Sequence, residues 1–335
     1  MRLSAVVIGI LFVSHMFAAQ ALASEAPRPA KIVPLSTRAV FLDIAINQGS
    51  VMAVGERGII LRSDDQGDSW RQVPSPVDVT LTAVTFTDAT TGWAVGHEST
   101  ILKTLDGGES WQVVRYKPEE ERYYLNVWFK NANRGVVLGT DGELWSTSDG
   151  GESWSLEVLS VEEWYQNHLF AFHELSDGSA VIAAERGGVF ARSAGQAKWR
   201  VVASPYPGTF FGVTELAGQF LLYGMSGKAY QLDLTSAENE VDQWREIAID
   251  SDQFLLAATI APGSGHVVLV GRGGIVLEVG VDGTVVHNQQ RPNRVDITAI
   301  AEDARYVYLA SMRGGIERLP VNELFAPVSG ATAND

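Results

Sequence analysis

The sequence of 335 residues contains no cysteine. Disulfide bonds are therefore excluded, and so is a lipid-modified cysteine at the start of a mature chain. A chain without disulfides must be stabilised by its apolar core and by the closure of its fold. The 33 glycines and the hydrophobic content of 46% are typical of many short strands joined by tight turns.

Basic residues are scarce as well. The chain has 25 Lys and Arg against 40 Asp and Glu, which gives a formal net charge of −15 at pH 7. Because nucleic-acid binding needs a concentrated basic surface, we expect no nucleic-acid partner. The acidic balance favours solubility and a partner that carries basic patches.

The N-terminus has no apolar run long enough for an ordinary membrane span. Residues 6–12 are apolar, but Ser14 and His15 interrupt the run, whereas a span needs ~20 apolar residues. Arg2, this short apolar core and the small residues Ala21 and Ala23 on either side of Leu22 are typical of a secretory signal peptide over residues 1–23, cleaved before Ser24. An uncleaved anchor is the alternative. The acidic, cysteine-free chain behind this signal is predicted to be periplasmic.

Three stretches share the pattern Ser/Thr-x-Asp-x-Gly-x-x-Trp. They are residues 63–70, 104–111 and 147–154. Trp111 follows Trp70 by 41 positions, and Trp154 follows Trp111 by 43. A recurrence at about 40–45 residues is typical of a repeat in which each unit is one propeller blade.

Alternating apolar stretches around these repeats predict an all-β, seven-bladed propeller of four-stranded blades over residues 24–325. Because the repeats degenerate in blades 4 to 6, six or eight blades stay open as alternatives. The predicted blades lie near residues 39–76, 80–115, 124–159, 168–203, 209–249, 253–290 and 295–320. The last blade is one strand short, so residues 30–35 are predicted to be its outer strand and to close the ring. Residues 326–335 are predicted to be a loose tail.

The repeated aspartates are interpreted as structural. Each can accept hydrogen bonds from amides in its own turn, the glycine two positions later can take a left-handed conformation, and the tryptophan can be buried beneath the turn. Calcium binding or catalysis is the alternative, but identical copies in several blades cannot all line one site. These structural residues are Asp65, Gly67, Trp70, Asp106, Gly108, Trp111, Asp149, Gly151 and Trp154.

A second repeated element, Gly-x-x-Gly or a variant of it, is predicted to form the turn between the second and third strands of each blade. Strand order places these turns on the same end of the propeller as the blade-to-blade linkers, opposite the Asp-containing turns. Their middle positions place four arginines around the mouth of the central channel: Arg57, Arg186, Arg272 and Arg313. Four acids are interleaved: Glu56, Glu98, Asp141 and Glu185. The hypothesis is docking of an acidic or carboxylate-bearing partner, and the alternative is an ordinary solvated rim.

The long linkers on the same end carry aromatic residues, among them Tyr123 and Trp164. They are candidates for partner contact, and packing over blade edges is the alternative. The histidines lack metal-type spacing, and no Gly-x-Ser-x-Gly motif occurs. We therefore expect no catalytic residue, no metal, no cofactor and no small-molecule substrate.

The Asp-containing stretches resemble the Asp-box, or bacterial neuraminidase repeat. The fuller pattern resembles the seven-bladed photosystem II assembly and stability factor family, most clearly in residues 83–86, 92–96, 100–104 and 106–111. The resemblance implies a propeller that binds a membrane protein or complex through an arginine-rich face. Together with the signal peptide and the missing catalytic motifs, it predicts an exported, non-enzymatic protein, which we expect to be a monomer. The resemblance also implies a role in the assembly, stability or transport of that partner. The chain departs from the family in having acids among the arginines, and it lacks the arginine triad of sialidases. A carbohydrate-active enzyme or a lectin that uses the channel mouth is the alternative.

Overall fold

The computed structural model describes residues 26–157, 159, 167–235 and 244–326. The signal peptide and most of the predicted tail lie outside these residues, as does Trp164. The described residues form β-strands and short 3-10 turns.

The first four blades are four-stranded antiparallel sheets. Blade 1 consists of β1 (Phe41–Asn47), β2 (Ser50–Gly55), β3 (Ile60–Ser63) and β4 (Arg71–Val73). Blade 2 consists of β5 (Leu81–Phe86), β6 (Gly92–Gly96), β7 (Thr100–Thr104) and β8 (Gln112–Arg115). Blade 3 consists of β9 (Tyr124–Phe129), β10 (Gly135–Gly139), β11 (Leu144–Thr147) and β12 (Ser155–Glu157). Blade 4 consists of β13 (Leu169–Glu174), β14 (Ala180–Ala184), β15 (Val189–Arg192) and β16 (Arg200–Val201).

The remaining three blades continue the same strand order. Blade 5 consists of β17 (Phe210–Leu216), β18 (Gln219–Gly224), β19 (Ala229–Leu232) and β20 (Trp244–Glu246). Blade 6 consists of β21 (Leu255–Ile260), β22 (Val267–Gly271), β23 (Ile275–Val279) and β24 (Val285–Gln290). Blade 7 consists of β25 (Ile297–Glu302), β26 (Tyr306–Ser311) and β27 (Ile316–Pro320).

The predicted seven-bladed propeller is confirmed. The first strands of successive blades are neighbours around the ring, and β25 of blade 7 contacts β1 of blade 1. Each of the seven junctions between blades contains an apolar cluster. Second strands such as β6 and β10 are buried along their whole length, because a neighbouring sheet covers each of their faces.

The prediction that residues 30–35 form the fourth strand of blade 7 is wrong. Among the described residues β25, β26 and β27 form a three-stranded sheet, and residues 30–35 form no strand with it. This segment binds blade 1 instead: the Ala30 amide donates to the Ser75 carbonyl at 3.0 Å, and the Gln72 side chain hydrogen-bonds both Lys31 and Val33. Val33 also packs against the apolar cluster shared by blades 7 and 1. The amide of Gln72 and this apolar contact therefore hold the segment without β-pairing.

The ring is closed by contacts between blades 1 and 7. The Thr298 hydroxyl donates to the Phe41 carbonyl at 2.7 Å. The hydroxyl of Tyr308 and the guanidinium of Arg318 both donate to the Gln66 carbonyl. These bonds and the shared apolar cluster join blades 1 and 7, and within the described ranges no strand is exchanged between the two blades.

One backbone hydrogen bond recurs in all seven blades and orders the turn after the second strand. The amide that follows the second strand donates to the carbonyl that precedes the first strand of the same blade, at 2.9–3.1 Å. The seven bonds run from Glu56 to Val40, His97 to Thr80, Thr140 to Tyr123, Glu185 to His168, Met225 to Thr209, Arg272 to Phe254 and Met312 to Asp296. The turns between second and third strands therefore lie on the same end as the linkers, as predicted.

The last glycine of these turns is held against the outgoing linker. Gly58 has φ +67, and a Cβ atom there would lie 1.9 Å from the Val77 carbonyl oxygen. Gly227 meets the Ser251 carbonyl in the same way, at 1.9 Å. A side chain at this position would combine backbone strain with a steric clash.

We expect Gly58→Ala to lower the free energy of unfolding by about 2–4 kcal/mol, because the linker must move away and the left-handed conformation is strained. Gly49→Ala is the matched control: Gly49 has φ +96, but a Cβ atom added there would meet no other atom within 4 Å. This control should lose only about 1 kcal/mol. Urea unfolding followed by tryptophan fluorescence measures both variants, and equal losses would contradict the steric argument.

Candidate docking face

The turns between second and third strands, together with the blade-to-blade linkers, form one end of the propeller, named here the linker face. Arg57 and Arg186 occupy the left-handed middle position of their turns, each with φ +55. Arg272 begins the turn of blade 6, and Arg313 lies in that of blade 7. All four arginines are exposed, so the turn geometry presents them to solvent.

The four interleaved acids already have partners within the protein. Glu56 accepts a hydrogen bond from the Val40 amide at 3.0 Å, and Glu185 accepts one from the His168 amide at 3.3 Å. Glu98 accepts from the Tyr116 hydroxyl, and Asp141 forms an ion pair with Arg122. Their negative charge is thus directed toward neighbouring protein groups.

The arginines differ from the acids in this respect. Within the part of the chain that the structure describes, Arg57, Arg186 and Arg313 form no ion pair and no side-chain hydrogen bond. Arg272 lies over the ring of Phe254, at 5.0 Å from its centroid, and its Nε is 3.7 Å from Asp296. Guanidinium groups without a partner keep all their donors for a ligand carboxylate.

Charge is also unevenly distributed around this face. Exposed cations are concentrated on blades 6, 7 and 1, where Arg38 and Arg294 join three of the four arginines. On blades 2 and 3 the acidic linker is balanced by its own cations, since Arg115 pairs with Glu120 at 2.6 Å and Lys117 with Glu119 at 3.5 Å. The linker face therefore has a basic side and a largely neutralised side. The sequence did not reveal this, because the pairing of Arg115 and Arg122 depends on how the linker folds back.

Two clefts lie on the basic side. The first, of about 400 Å³, is lined by Val33, Leu35, Ile59 and the two arginines Arg38 and Arg57, among others. The second, of about 550 Å³, is lined by Val295, Ile297, Leu309, Arg291 and Arg313, among others. They adjoin where the Gly315 amide donates to the Ala39 carbonyl at 2.9 Å. Each combines apolar walls with arginines, so it can take an apolar side chain next to a carboxylate.

Tyr123 is 43% exposed on the linker before blade 3, and its ring lies 4.5 Å from that of His97. It is accessible to a partner, as the hypothesis requires. Burial lowers the pKa of His97. Trp164 lies outside the described residues, so its role stays a prediction.

The central channel contains an acid that the sequence interpretation passed over. Asp43, on the first strand of blade 1, accepts hydrogen bonds from the amides of Ile44 at 2.9 Å and Val84 at 2.8 Å. Burial raises the pKa of Asp43 to about 7, although these two bonds act in the opposite direction. Tyr223 of blade 5 has a raised pKa because of burial and the nearby Asp43 carboxylate. The sequence could have pointed to Asp43, because a charged aspartate is unusual within an apolar strand such as Phe41–Asn47.

The Asp-containing turns lie on the opposite end of the propeller. Asp65 accepts hydrogen bonds from the Ser69 amide at 2.9 Å and the Ser69 hydroxyl at 2.6 Å. Asp106 and Asp149 make the same pair of bonds with Ser110 and Ser153. The serine bonds lower the pKa of Asp65 and Asp149 to about 2. The carboxylates are thus engaged within their own turns.

The glycines of these turns adopt the left-handed conformation, and the tryptophans pack beneath the turns. Gly67, Gly108 and Gly151 have φ between +83 and +90. Trp111 is buried, whereas Trp70 and Trp154 are half-buried against the clusters at their blade junctions.

No group of three or more His, Asp or Glu side chains within the described ranges could hold a metal ion. In the same ranges no helix has the length and apolarity to cross a membrane.

Comparison with known proteins supports the family resemblance. Residues 68–230 match the model of the family described as photosynthesis system II assembly factor YCF48. YCF48 from Cyanidioschyzon merolae has a TM-score of 0.67 and 16% identity over 87% of this chain and 98% of that chain. A structure described as YCF48 bound to D1 peptide has a TM-score of 0.67 and 19% identity, over 88% and 97% of the two chains.

Other solved structures are equally similar in shape. Virginiamycin B lyase from Staphylococcus aureus has a TM-score of 0.70 and 11% identity, over 88% of this chain and 98% of that chain. At such identities the structural likeness shows the fold alone. A search of curated proteins finds no match.

We expect Asp149→Asn to lower the melting temperature at neutral pH, because one amide oxygen cannot replace both carboxylate oxygens toward Ser153. The folded-state pKa of about 2 lies below the ordinary value of 3.8. The carboxylate therefore stabilises the fold above about pH 4, and this contribution is lost as the pH falls toward about 2. Thermal melts should show the difference between variant and parent narrowing over that interval.

The matched control is Asp250→Asn, at an exposed residue whose carboxylate accepts no hydrogen bond from the described residues. It should leave the melting temperature unchanged across the same pH range. A difference between Asp149→Asn and the parent that does not vary with pH would contradict the ionised-acceptor interpretation.

Proposed function

The chain carries the repeat of the photosystem II assembly factor family across residues 68–230, and on this premise we propose that it is an exported, non-enzymatic propeller that binds a membrane protein or complex. In this proposal the linker face is the docking surface, and binding assists the assembly, stability or transport of the partner. The neighbouring structure described as YCF48 bound to D1 peptide supports a membrane-protein segment as the kind of ligand.

The observation that carries the proposal is the asymmetry between acids and arginines on the linker face. The interleaved acids Glu56, Glu98, Asp141 and Glu185 are satisfied by groups of the same chain. Arg57, Arg186 and Arg313 have no such partner among the described residues. Acids and arginines alternate in the turn sequences, but of these described residues only arginines remain without a partner in the fold.

The preferred ligand chemistry follows from this surface. Arginine binds a carboxylate through two parallel hydrogen bonds, and the adjoining clefts add apolar contact. The net charge of −15 opposes non-specific binding of acidic molecules to the rest of the protein. We therefore propose an acidic or carboxylate-bearing segment with neighbouring apolar side chains as the docked part of the partner.

Export and oligomeric state belong to the proposal too. The signal-like residues 1–23 support delivery to the periplasm, where the face can meet membrane proteins. Closure of the ring within one chain supports a monomer. The absence of a recognised catalytic motif in the sequence, together with the family match, supports binding rather than catalysis.

Replacing Arg57, Arg186 and Arg313 together with glutamate should reduce capture of the partner from detergent-solubilised membranes by about tenfold or more, because each reversal replaces an attraction with a repulsion. Quantitative pull-down with the mature chain as bait measures the loss. Circular dichroism and thermal melting verify that the fold is kept.

The matched control carries three reversals on the opposite end: Lys198→Glu, Arg200→Glu and Arg305→Glu. It has the same change in net charge and should capture the partner as the parent does. Equal capture by the two triple variants would exclude the linker face as the docking surface.

A further inference from the structure

The end of the propeller opposite the linker face, which carries the Asp-containing turns, has a repeated bridge between neighbouring blades. In blade 1, Arg62 on β3 donates to the Gly107 carbonyl in the Asp-containing turn of blade 2. In blade 2, Lys103 at the equivalent position of β7 donates to the Gly150 carbonyl of blade 3 at 2.7 Å. A long cation thus fills the space between these blades.

This pattern breaks between blades 3 and 4. Ser146 takes the position of Arg62 and Lys103, and its hydroxyl is too short to bridge. Blade 4 also lacks an Asp-containing turn, since Arg192 and Ala194 stand where the repeat has its Ser/Thr and Asp. A cleft of about 240 Å³ lies at this junction, with Ser146 and Arg192 in its lining.

A buried carboxylate organises the cations of this cleft. The Glu174 side chain is 1% exposed and accepts hydrogen bonds from Lys130 at 2.7 Å, from Arg134, and from Arg192 at 3.4 Å. Three cations therefore share one carboxylate, which leaves positive charge and free guanidinium donors. Arg192 is also fixed over the ring of Trp199, at 4.8 Å. Because Arg134 is about half exposed, it can bind a further anion at the mouth of the cleft.

The other walls supply groups of a different kind. The hydroxyls of Ser146, Ser148 and Ser155 have no hydrogen-bond partner among the described residues. Trp128 offers a half-buried ring. Glu157 accepts from the Trp199 indole at 2.9 Å and keeps its second oxygen as an acceptor. The cleft thus combines cations, hydroxyls, one carboxylate and an aromatic wall.

We propose that this cleft binds one ring of an acidic sugar. The arginines would bind its anionic group, the serines and Glu157 would hydrogen-bond its hydroxyls, and Trp128 would cover its apolar C–H face. The volume lies below that of drug-sized ligand sites, which suits a single ring. This site is on the opposite end from the linker face, so it is independent of the function proposed above.

Calorimetric titration of the mature chain tests the proposal with glucuronate, glucose and sulfate as probes. Glucuronate should bind, and glucose should bind at least tenfold more weakly because it lacks the charge. Binding of sulfate as tight as that of glucuronate would reduce the site to an anion site and overturn the sugar proposal. Absence of glucuronate binding would overturn it as well. A glucuronate-containing oligosaccharide that binds more tightly than glucuronate would identify a polysaccharide as the source of the ligand. If the oligosaccharide and glucuronate bind equally tightly, the ligand is a free sugar acid.

Two variants locate the site. Ser146→Lys restores the cation of the repeat and should fill the cleft, while Arg134→Gln removes one donor of the anion. Each should weaken glucuronate binding about tenfold or more. Arg122→Gln, which makes the same charge change as Arg134→Gln but on the linker face, should bind as the parent does. Thermal melting verifies the fold of each variant, and unchanged binding by a folded Ser146→Lys protein would contradict the assigned position.

Discussion

Apolar packing between neighbouring blades is the constraint on which the structure depends. Each sheet is too small to be stable alone, and it becomes stable when both of its faces are covered by other sheets. The seven apolar clusters at the junctions provide this cover. Once the sheets are stacked, the ends of the strands have fixed positions, and the turns that carry the polar chemistry are oriented by the ring.

Much of the fold could be predicted from the sequence because its causes are local. Alternation of apolar residues identified the strands, the spacing of Trp70, Trp111 and Trp154 identified the blades, and strand order placed the arginine turns with the linkers. The N-terminal segment was misplaced because its position depends on the side-chain amide of Gln72, which is distant in sequence. The expectation that an open strand edge is paired took no account of this contact with Gln72.

The candidate sites were less predictable for the same reason. The exposure of Arg57 followed from its turn, but the pairing of Asp141 with Arg122 required the folded linker. Likewise, nothing in the sequence alone indicates that Ser146 lines a cleft. It becomes informative only when Arg62 and Lys103 are seen to fill the corresponding space in other blades. Departures from the repeat therefore indicate where a candidate site lies, whereas the repeat itself determines the geometry.

The way the ring closes has a consequence for how the chain reaches its native state. Contacts within each blade are local, but the bond from Thr298 to Phe41 joins residues 257 positions apart. Because the described residues of blades 1 and 7 exchange no strand, blades can form in the order in which they emerge, and closure must wait for the last one. Until then the outward faces of blades 1 and 7 are uncovered. Closure is therefore the late step at which an emerging chain is most exposed to aggregation and to proteases.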